Sequence, residues 1–164
     1  MFSIIIPTFN NINYLKICLK SLKKNSRFNH QIIIHVNEGT DGTLDFIKKN
    51  KLIFTYSYEN IGLCSAVNCA AKKVSTNYIV YGHDDMYFCP GWDIAFSEEL
   101  KKINHNLFLL SGIMIQPIYG HIQLNCGSNY INFNEEKLLS KCKLINYQDF
   151  QGTHWSPHLV HKDM

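Results

Sequence analysis

The first half of the chain alternates short apolar runs with amphipathic stretches, and this alternation constrains the fold more than any other feature. Helical spacing of apolar residues marks the segments between the runs, as for Leu15, Cys18, Leu19 and Leu22. Strands that alternate with helices of this length form right-handed βαβ units around a parallel sheet. The sequence therefore predicts an α/β domain of nucleotide-binding type, with strands at Phe2–Ile6, Gln31–Val36, Leu52–Ser57 and Tyr78–Tyr81.

Capping and turn residues set most of the expected boundaries. Pro7 is expected to end the first strand, and Asn10 or Asn11 to cap a helix that runs to about Lys24. Further helices are expected at Thr43–Asn50, Leu63–Val74, Trp92–Asn104 and Glu135–Cys142, and further strands at Leu107–Ile115 and Tyr119–Leu124, joined by a hairpin turn at Pro117–Gly120.

Composition excludes several classes of protein. A chain of 164 residues and 19.0 kDa is long enough for one domain with a real core. The net charge is +3, and the Lys and Arg residues form no basic stripe interleaved with aromatic residues, so no nucleic-acid partner is expected. None of the six cysteines forms a C-x-x-C pair, which argues against zinc-ribbon and thioredoxin-like proteins and favours a reducing compartment.

No signal peptide is visible and no apolar run reaches the roughly 20 residues of a membrane span. We therefore expect a cytoplasmic protein, with peripheral contact to the cytoplasmic face of a membrane left open.

Two adjacent carboxylates follow the fourth strand. Gly82 breaks the apolar run Tyr78–Tyr81, and Asp84 and Asp85 come directly after His83. In open α/β sheets, ligands bind at the carboxyl ends of the strands. Paired carboxylates at that edge repel each other unless they share a positive charge, and a divalent cation with a diphosphate is the usual solution. The alternative is a solvated turn without a ligand.

The other three strand ends also carry polar clusters, and together the four resemble a known family. The first three are Pro7-Thr8-Phe9-Asn10, the loop Asn37–Thr43, and Glu59-Asn60-Ile61-Gly62 followed by Ala66 and Asn68. Their order and spacing resemble the nucleotide-sugar half of family 2 glycosyltransferases over residues 2–93. The resemblance implies the GT-A fold, a Rossmann-like three-layer α/β/α sandwich with a mostly parallel central sheet. It further implies a single domain, residues 1–164, with a nucleotide-sugar-binding half at 1–93 and a partial acceptor-side half at 94–164.

The resemblance also implies roles for individual residues. Glu38 stands where the family reads the base through its imide N–H, with Asn37 as the alternative. Asp85 aligns with the direct metal ligand of a DXD-like motif, and His83 with the first acidic residue. Mn²⁺ or Mg²⁺ is the implied cofactor, held by Asp85, with His83 and His154 as further candidate ligands; a degenerate site without metal is the alternative. The residues implied to bind the nucleotide sugar are Pro7, Thr8, Phe9, Asn10, Asn37, Glu38, Asn60, Gly62, Asn68, His83, Asp84 and Trp92.

Two of these assignments have alternatives within the fold. Trp92, in Cys89-Pro90-Gly91-Trp92-Asp93, can stack on a sugar or anchor the core. Asp41 is expected to stabilise its loop or cap the next helix rather than touch the ligand.

The implied reaction is metal-assisted transfer of a sugar from a nucleoside diphosphate to an acceptor hydroxyl, with inversion. The acceptor can be a saccharide, a lipid or a protein. Asp85 is the leading catalytic residue, and Asp149 is the fallback for the general base. We expect a truncated or minimal domain in which that base is absent, so a non-catalytic nucleotide-sugar-binding fragment is one alternative. A sugar-phosphate nucleotidyltransferase is less favoured, because the turn after the first strand lacks the Gly-rich, basic sequence of that class.

Overall fold

A computed structural model describes residues 1–143 and 156–164. The strands are β1 (Ser3–Phe9), β2 (Gln31–Asn37), β3 (Ile53–Ser57), β4 (Tyr78–Tyr81), β5 (Leu109–Ser111), β6 (Ile115–Gln116), β7 (Ile122–Gln123) and β8 (His158–His161). The helices are α1 (Ile12–Asn25), α2 (Thr43–Lys49), α3 (Leu63–Ala71), α4 (Trp92–Leu100) and α5 (Glu135–Cys142).

The central sheet has six strands in the order β3-β2-β1-β4-β8-β5. The four strands of the N-terminal half are parallel, with β1 paired to β2 from Ser3↔Gln31 to Phe9↔Asn37. The next strand in the sheet, β8, runs antiparallel to both β4 and β5. The mostly parallel sheet is therefore confirmed, whereas β8 was not predicted from the sequence.

Both faces of the sheet are covered, which explains the continuous apolar runs of β1 and β2. Ile4 and Ile6 face a large core that includes Leu15, Cys18 and Leu22 of α1, together with residues of α2 and α4. Ile5 and Ile33 face the opposite side and pack with Ala70 of α3. Successive side chains of a strand point to opposite faces, so a strand covered on both sides must be apolar throughout. The three-layer arrangement is confirmed.

The expected end of the first strand at Pro7 is wrong, because β1 continues to Phe9. The Gly82 N–H donates to the Ile5 carbonyl, so the polar groups of Ile5 point toward β4. Pro7 lies two residues further and points the same way, where β4 has already ended at its pairing of Tyr81 with Ile5. A missing N–H costs no ladder hydrogen bond at this position.

The second half departs further from the expected elements. The apolar run Leu107–Ile115 is divided into β5 and β6 at Gly112, whose N–H donates to the Pro157 carbonyl at 2.8 Å. A Cβ at Gly112 would lie 2.8 Å from the Cδ of Pro157, so the close approach requires glycine. The expected hairpin at Pro117–Gly120 is wrong, since β6 and β7 pair in parallel.

The described helices are short, from 7 residues in α2 to 14 in α1. Two helices end earlier than expected, α3 at Ala71 and α4 at Leu100. Among the described residues, no helix is long and apolar enough to cross a membrane.

Candidate functional site

The carboxyl ends of β1 and β4 are joined by a side-chain hydrogen bond. The Thr8 hydroxyl donates to Oδ2 of Asp84 at 2.6 Å, and Thr8 is only 2% exposed. The expected contact of Thr8 with a nucleotide stays a prediction, while its hydroxyl bonds to the acidic motif. The strand ends that the sequence places at one edge are thus linked directly.

The loop after β2 is joined to the end of β1 by Asn10. Its amide Nδ2 donates to Oε2 of Glu38 at 3.3 Å, and its Oδ1 accepts from the Thr40 N–H at 2.9 Å. Both Asn10 and Glu38 have positive φ, 46° and 59°, a conformation that non-glycine residues adopt infrequently. The two strained residues turn their side chains toward each other, which leaves the Glu38 carboxylate half-buried at the edge.

Asn37 serves the loop after β3. It is 4% exposed, and its Oδ1 accepts from the Ser57 hydroxyl at 3.0 Å and from the Ile61 N–H at 3.1 Å. Of the two candidate base readers, Glu38 is therefore the more accessible, and Asn37 holds the chain between β3 and α3. The expectation that Asp41 stabilises its loop or caps the next helix is confirmed, because its carboxylate accepts from the N–H groups of Ile12 and Thr43 at the starts of α1 and α2.

The turn before α3 has the expected backbone. Asn60 accepts from the Gly62 N–H at 3.0 Å, and Gly62 has φ 79° with open space where a Cβ would be. Glycine is needed here for the backbone conformation and not for space. Asn68 is exposed on α3, whose buried residues are Ala66 and Ala70, and its contact with the nucleotide sugar stays a prediction.

The acidic motif contains two carboxylates in different environments. Burial raises the pKa of Asp84, and hydrogen bonds from Thr8 and Asn11 partly oppose that shift. Asp85 is exposed. Nε2 of His83 lies 2.8 Å from the Tyr81 hydroxyl, and the two rings pack against each other with centroids 5.1 Å apart.

Trp92 packs in an aromatic cluster that also contains Phe2, His30, Phe88 and Phe96. Its indole N–H donates to the Ser26 hydroxyl at 3.2 Å. These contacts support the core-anchor interpretation, while contact with a sugar stays a prediction.

A buried carboxylate next to Trp92 was missed by the sequence reasoning. Asp93 is 0% exposed, and its Oδ2 accepts from the N–H groups of Arg27 and Phe28 and lies 3.0 Å from Nε2 of His30. Its helical spacing with Phe96 and Leu100, which places it on the apolar face of α4, was the available signal.

A cavity of about 940 Å³ begins at Asp85 and extends into the second half. Its walls come from the segment Asp85–Trp92, from α4, from Leu109–Pro117, from Leu138 of α5 and from Phe133 just before that helix. Glu38, Asn60 and Gly62 lie outside its lining, so the cavity and the strand-end cluster are neighbouring spaces that share Asp85.

Comparison with known proteins identifies the family. The model of glycosyl transferase family 2 matches residues 3–156. The chain belongs to this family. An uncharacterized glycosyltransferase of Rickettsia prowazekii is 34% identical over 140 residues, which cover 83% of this chain and 43% of that protein.

Solved structures of glycosyltransferases share the fold of this family 2 chain. S. aureus TarS, residues 1–349, superposes with a TM-score of 0.65 at 18% identity, and the match covers 98% of this chain and 47% of the TarS chain. Its complex with UDP gives a TM-score of 0.63 at 23% identity, with coverages of 74% and 38%. The Pyrobaculum calidifontis mannosyltransferase PcManGT, in complex with GDP-Man and Mn²⁺, gives 0.59 at 17% identity and covers 71% and 36%. The fold is therefore GT-A, and the chain spans less than half the length of each of these proteins.

The candidate metal ligands of this family 2 chain suit a cation that phosphate oxygens also coordinate. Among residues 1–143 and 156–164, no group of three or more His, Cys, Asp or Glu side chains is placed to hold a metal ion. Asp85 is an exposed carboxylate, and His83 has its second ring nitrogen besides the one near Tyr81. Mg²⁺ and similar ions in nucleotide sites take one or two carboxylates and complete their coordination with phosphate oxygens and water. The residues therefore fit such an ion. Asp149 and His154 lie outside the described residues.

Proposed function

We propose that this chain binds a nucleoside-diphosphate sugar at the carboxyl edge of β1–β4 and transfers the sugar to an acceptor hydroxyl. One observation carries the proposal: two side-chain hydrogen bonds, Thr8–Asp84 and Asn10–Glu38, bring the ends of three strands into one cluster. The family membership supports it, as do the fold neighbours determined with UDP and with GDP-Man.

The nucleoside half of the donor would lie between β1 and β2. The Glu38 carboxylate can accept from the imide N–H of uracil or thymine, whereas the adjacent Asn37 oxygen already accepts two hydrogen bonds. The diphosphate would lie near the N-terminus of α3, where the Gly62 turn exposes backbone N–H groups and the helix dipole favours negative charge.

Asp85, with His83 as second ligand, would hold Mn²⁺ or Mg²⁺ against the diphosphate. When bound, the cation neutralises the charge that grows on the leaving diphosphate. The Thr8–Asp84 bond restrains the turn that carries Asp85, so the carboxylate reaches the phosphates from a defined position. His83 is oriented by Tyr81 in the same way.

The acceptor would enter from the cavity that begins at Asp85. We further propose that residues 1–93 hold the donor and that residues 94–164 form part of the acceptor side, with the segment Asp85–Trp92 bordering both. We propose inversion at the anomeric carbon, with a carboxylate as general base and Asp149 as its candidate.

Calorimetric titration tests the donor site. UDP and GDP are titrated into the protein in Mn²⁺ and again in EDTA. We expect affinity to be at least tenfold higher with Mn²⁺, and Asp85→Asn to remove most of that difference. Glu98→Gln, an exposed change on α4, is the matched control and should behave as the unmodified protein. Equal affinity with and without Mn²⁺ contradicts the metal assignment, and failure to bind either nucleotide contradicts the donor site.

A transfer assay tests the reaction separately. Release of nucleoside diphosphate from a panel of nucleotide sugars, with and without candidate acceptors, distinguishes an enzyme from a binding module. A product whose anomeric configuration is opposite to that of the donor sugar supports inversion, and a product with the same configuration contradicts it. Binding without any turnover favours the non-catalytic alternative.

A further inference from the structure

Three cysteines, Cys89, Cys126 and Cys142, lie together in one apolar cluster. Cys126 and Cys142 are each 9% exposed, Cys89 is half-buried, and apolar side chains such as Leu138 and Phe133 surround them. Among them, the sulfurs of Cys89 and Cys142 lie 3.4 Å apart and make direct contact as free thiols.

The surrounding structure holds these two sulfurs in place. Cys89 lies between β4 and α4, four residues after Asp85, and Cys142 is the last residue of α5. The first residue of α5, Glu135, accepts a 2.7 Å hydrogen bond from the Tyr87 hydroxyl and pairs with Lys24 at 3.2 Å. Both ends of α5 thus contact the short segment Tyr87–Cys89, so the thiols meet between two anchored elements.

We propose that Cys89 and Cys142 form a reversible redox pair, which hydrogen peroxide closes to an intramolecular disulfide. The bond would fix α5 to the segment that follows the acidic motif. The proposal does not depend on the reaction that the chain catalyses.

The chemistry of the pair assigns a role to each sulfur. The hydrogen bond between the sulfurs lowers the pKa of Cys142 and, together with burial, raises that of Cys89, so Cys142 forms a thiolate more readily than Cys89. That thiolate attacks one peroxide oxygen; the O–O bond breaks, and the departing hydroxide takes a proton to become water. The sulfur of Cys89 then attacks the resulting sulfenic acid, the S–O bond breaks, and the hydroxyl leaves with the Cys89 proton as a second water.

The oxidant has a route to the pair. Cys89 lines the cavity of about 940 Å³, which admits a molecule as small as hydrogen peroxide, and the Cys142 sulfur lies directly behind it at 3.4 Å, so peroxide must pass the Cys89 side chain to reach Cys142. Cys126 lines the same cavity, but burial raises its pKa and lowers its reactivity.

Peptide mapping after peroxide treatment tests the proposal. The reduced protein is treated with hydrogen peroxide, alkylated under denaturing conditions and digested with trypsin. Lys141 and Lys143 flank Cys142, so trypsin releases it as the dipeptide 142–143, whereas Cys89 lies in 74–101 and Cys126 in 103–137. We expect 74–101 joined to the dipeptide, a mass about 2 Da below the sum of the two free peptides, and loss of the link on treatment with dithiothreitol.

Single variants separate this pair from its neighbours. Cys126→Ser should keep the link, and Cys89→Ser and Cys142→Ser should each abolish it. Cys64→Ser, at an exposed thiol on α3, is the control for general oxidation and should leave the link unchanged. The closed bridge should also raise the melting temperature of the unmodified protein by about 5 °C. A link between 74–101 and 103–137, or full alkylation of Cys89 and Cys142 after treatment, overturns the proposal.

Discussion

The Thr8 hydroxyl and the Asp84 carboxylate form a 2.6 Å hydrogen bond between two parallel neighbouring strands, 76 residues apart in the chain. Thr8 is buried at the end of β1, and Asp84 lies in the turn after β4. The bond gives a partly buried carboxylate a donor and holds its neighbour Asp85 at the sheet edge.

Thr8→Val should lower the free energy of unfolding by about 1 to 2 kcal/mol, because it leaves a partly buried carboxylate oxygen without its donor. Urea denaturation at neutral pH measures the change. Thr8→Ser keeps the hydroxyl and is the matched control, with a loss of about 1 kcal/mol or less for one buried methyl. Unchanged stability in Thr8→Val would show that water replaces the hydroxyl.

Asp84 should make stability fall as pH rises from about 4. Burial raises its pKa in the folded state, so the folded protein binds the proton more tightly than the unfolded chain, whose Asp pKa is about 4. The contribution is present below that value and is lost as pH rises through the folded pKa. The stability of the unmodified protein relative to Asp84→Asn, from urea denaturation between pH 4 and 7, should therefore decrease with pH. An increase would contradict the assignment.

Asp93→Ala should lower the free energy of unfolding by roughly 3 kcal/mol, because it removes the acceptor for two backbone N–H groups and for His30. Burial opposes ionisation of Asp93, but these donors outweigh it and hold its pKa below the ordinary value. A depressed pKa contributes stability above about pH 4 that is lost as pH falls through the folded pKa. The difference between the two proteins should thus shrink in acid. Glu98→Ala, exposed on the same helix, should change stability by less than about 0.5 kcal/mol.

Glu38→Ala should weaken binding of UDP and dTDP about tenfold or more and change CDP and ADP binding less, since the imide N–H of uracil and thymine needs an acceptor and the pairing edges of cytosine and adenine carry no ring N–H. Calorimetry with the four nucleotides in Mn²⁺ measures the selectivity. Glu38→Gln keeps one acceptor oxygen and should lose less. Equal losses for all four bases would assign Glu38 a structural role at the Asn10 contact.

The second half was harder to predict because its elements depend on partners far along the chain. The run Leu107–Ile115 reads as one strand, yet the contact of Gly112 with Pro157 divides it. Likewise, β8 is a four-residue strand that forms between β4 and β5, and its own sequence carries no turn or alternation that indicates this.

The sequence by itself determined the architecture of the first half and brought the polar strand ends to one edge of the sheet. Apolar runs and helical spacing are local signals, and parallel strands necessarily bring their carboxyl ends to one edge, so four motifs sufficed to place the cluster. The tertiary structure alone decided which side chains meet, as in the pairs Thr8–Asp84, His30–Asp93 and Cys89–Cys142, separated by 76, 63 and 53 residues. No local spacing records such pairs, because they depend on how the strands and helices pack across the whole domain.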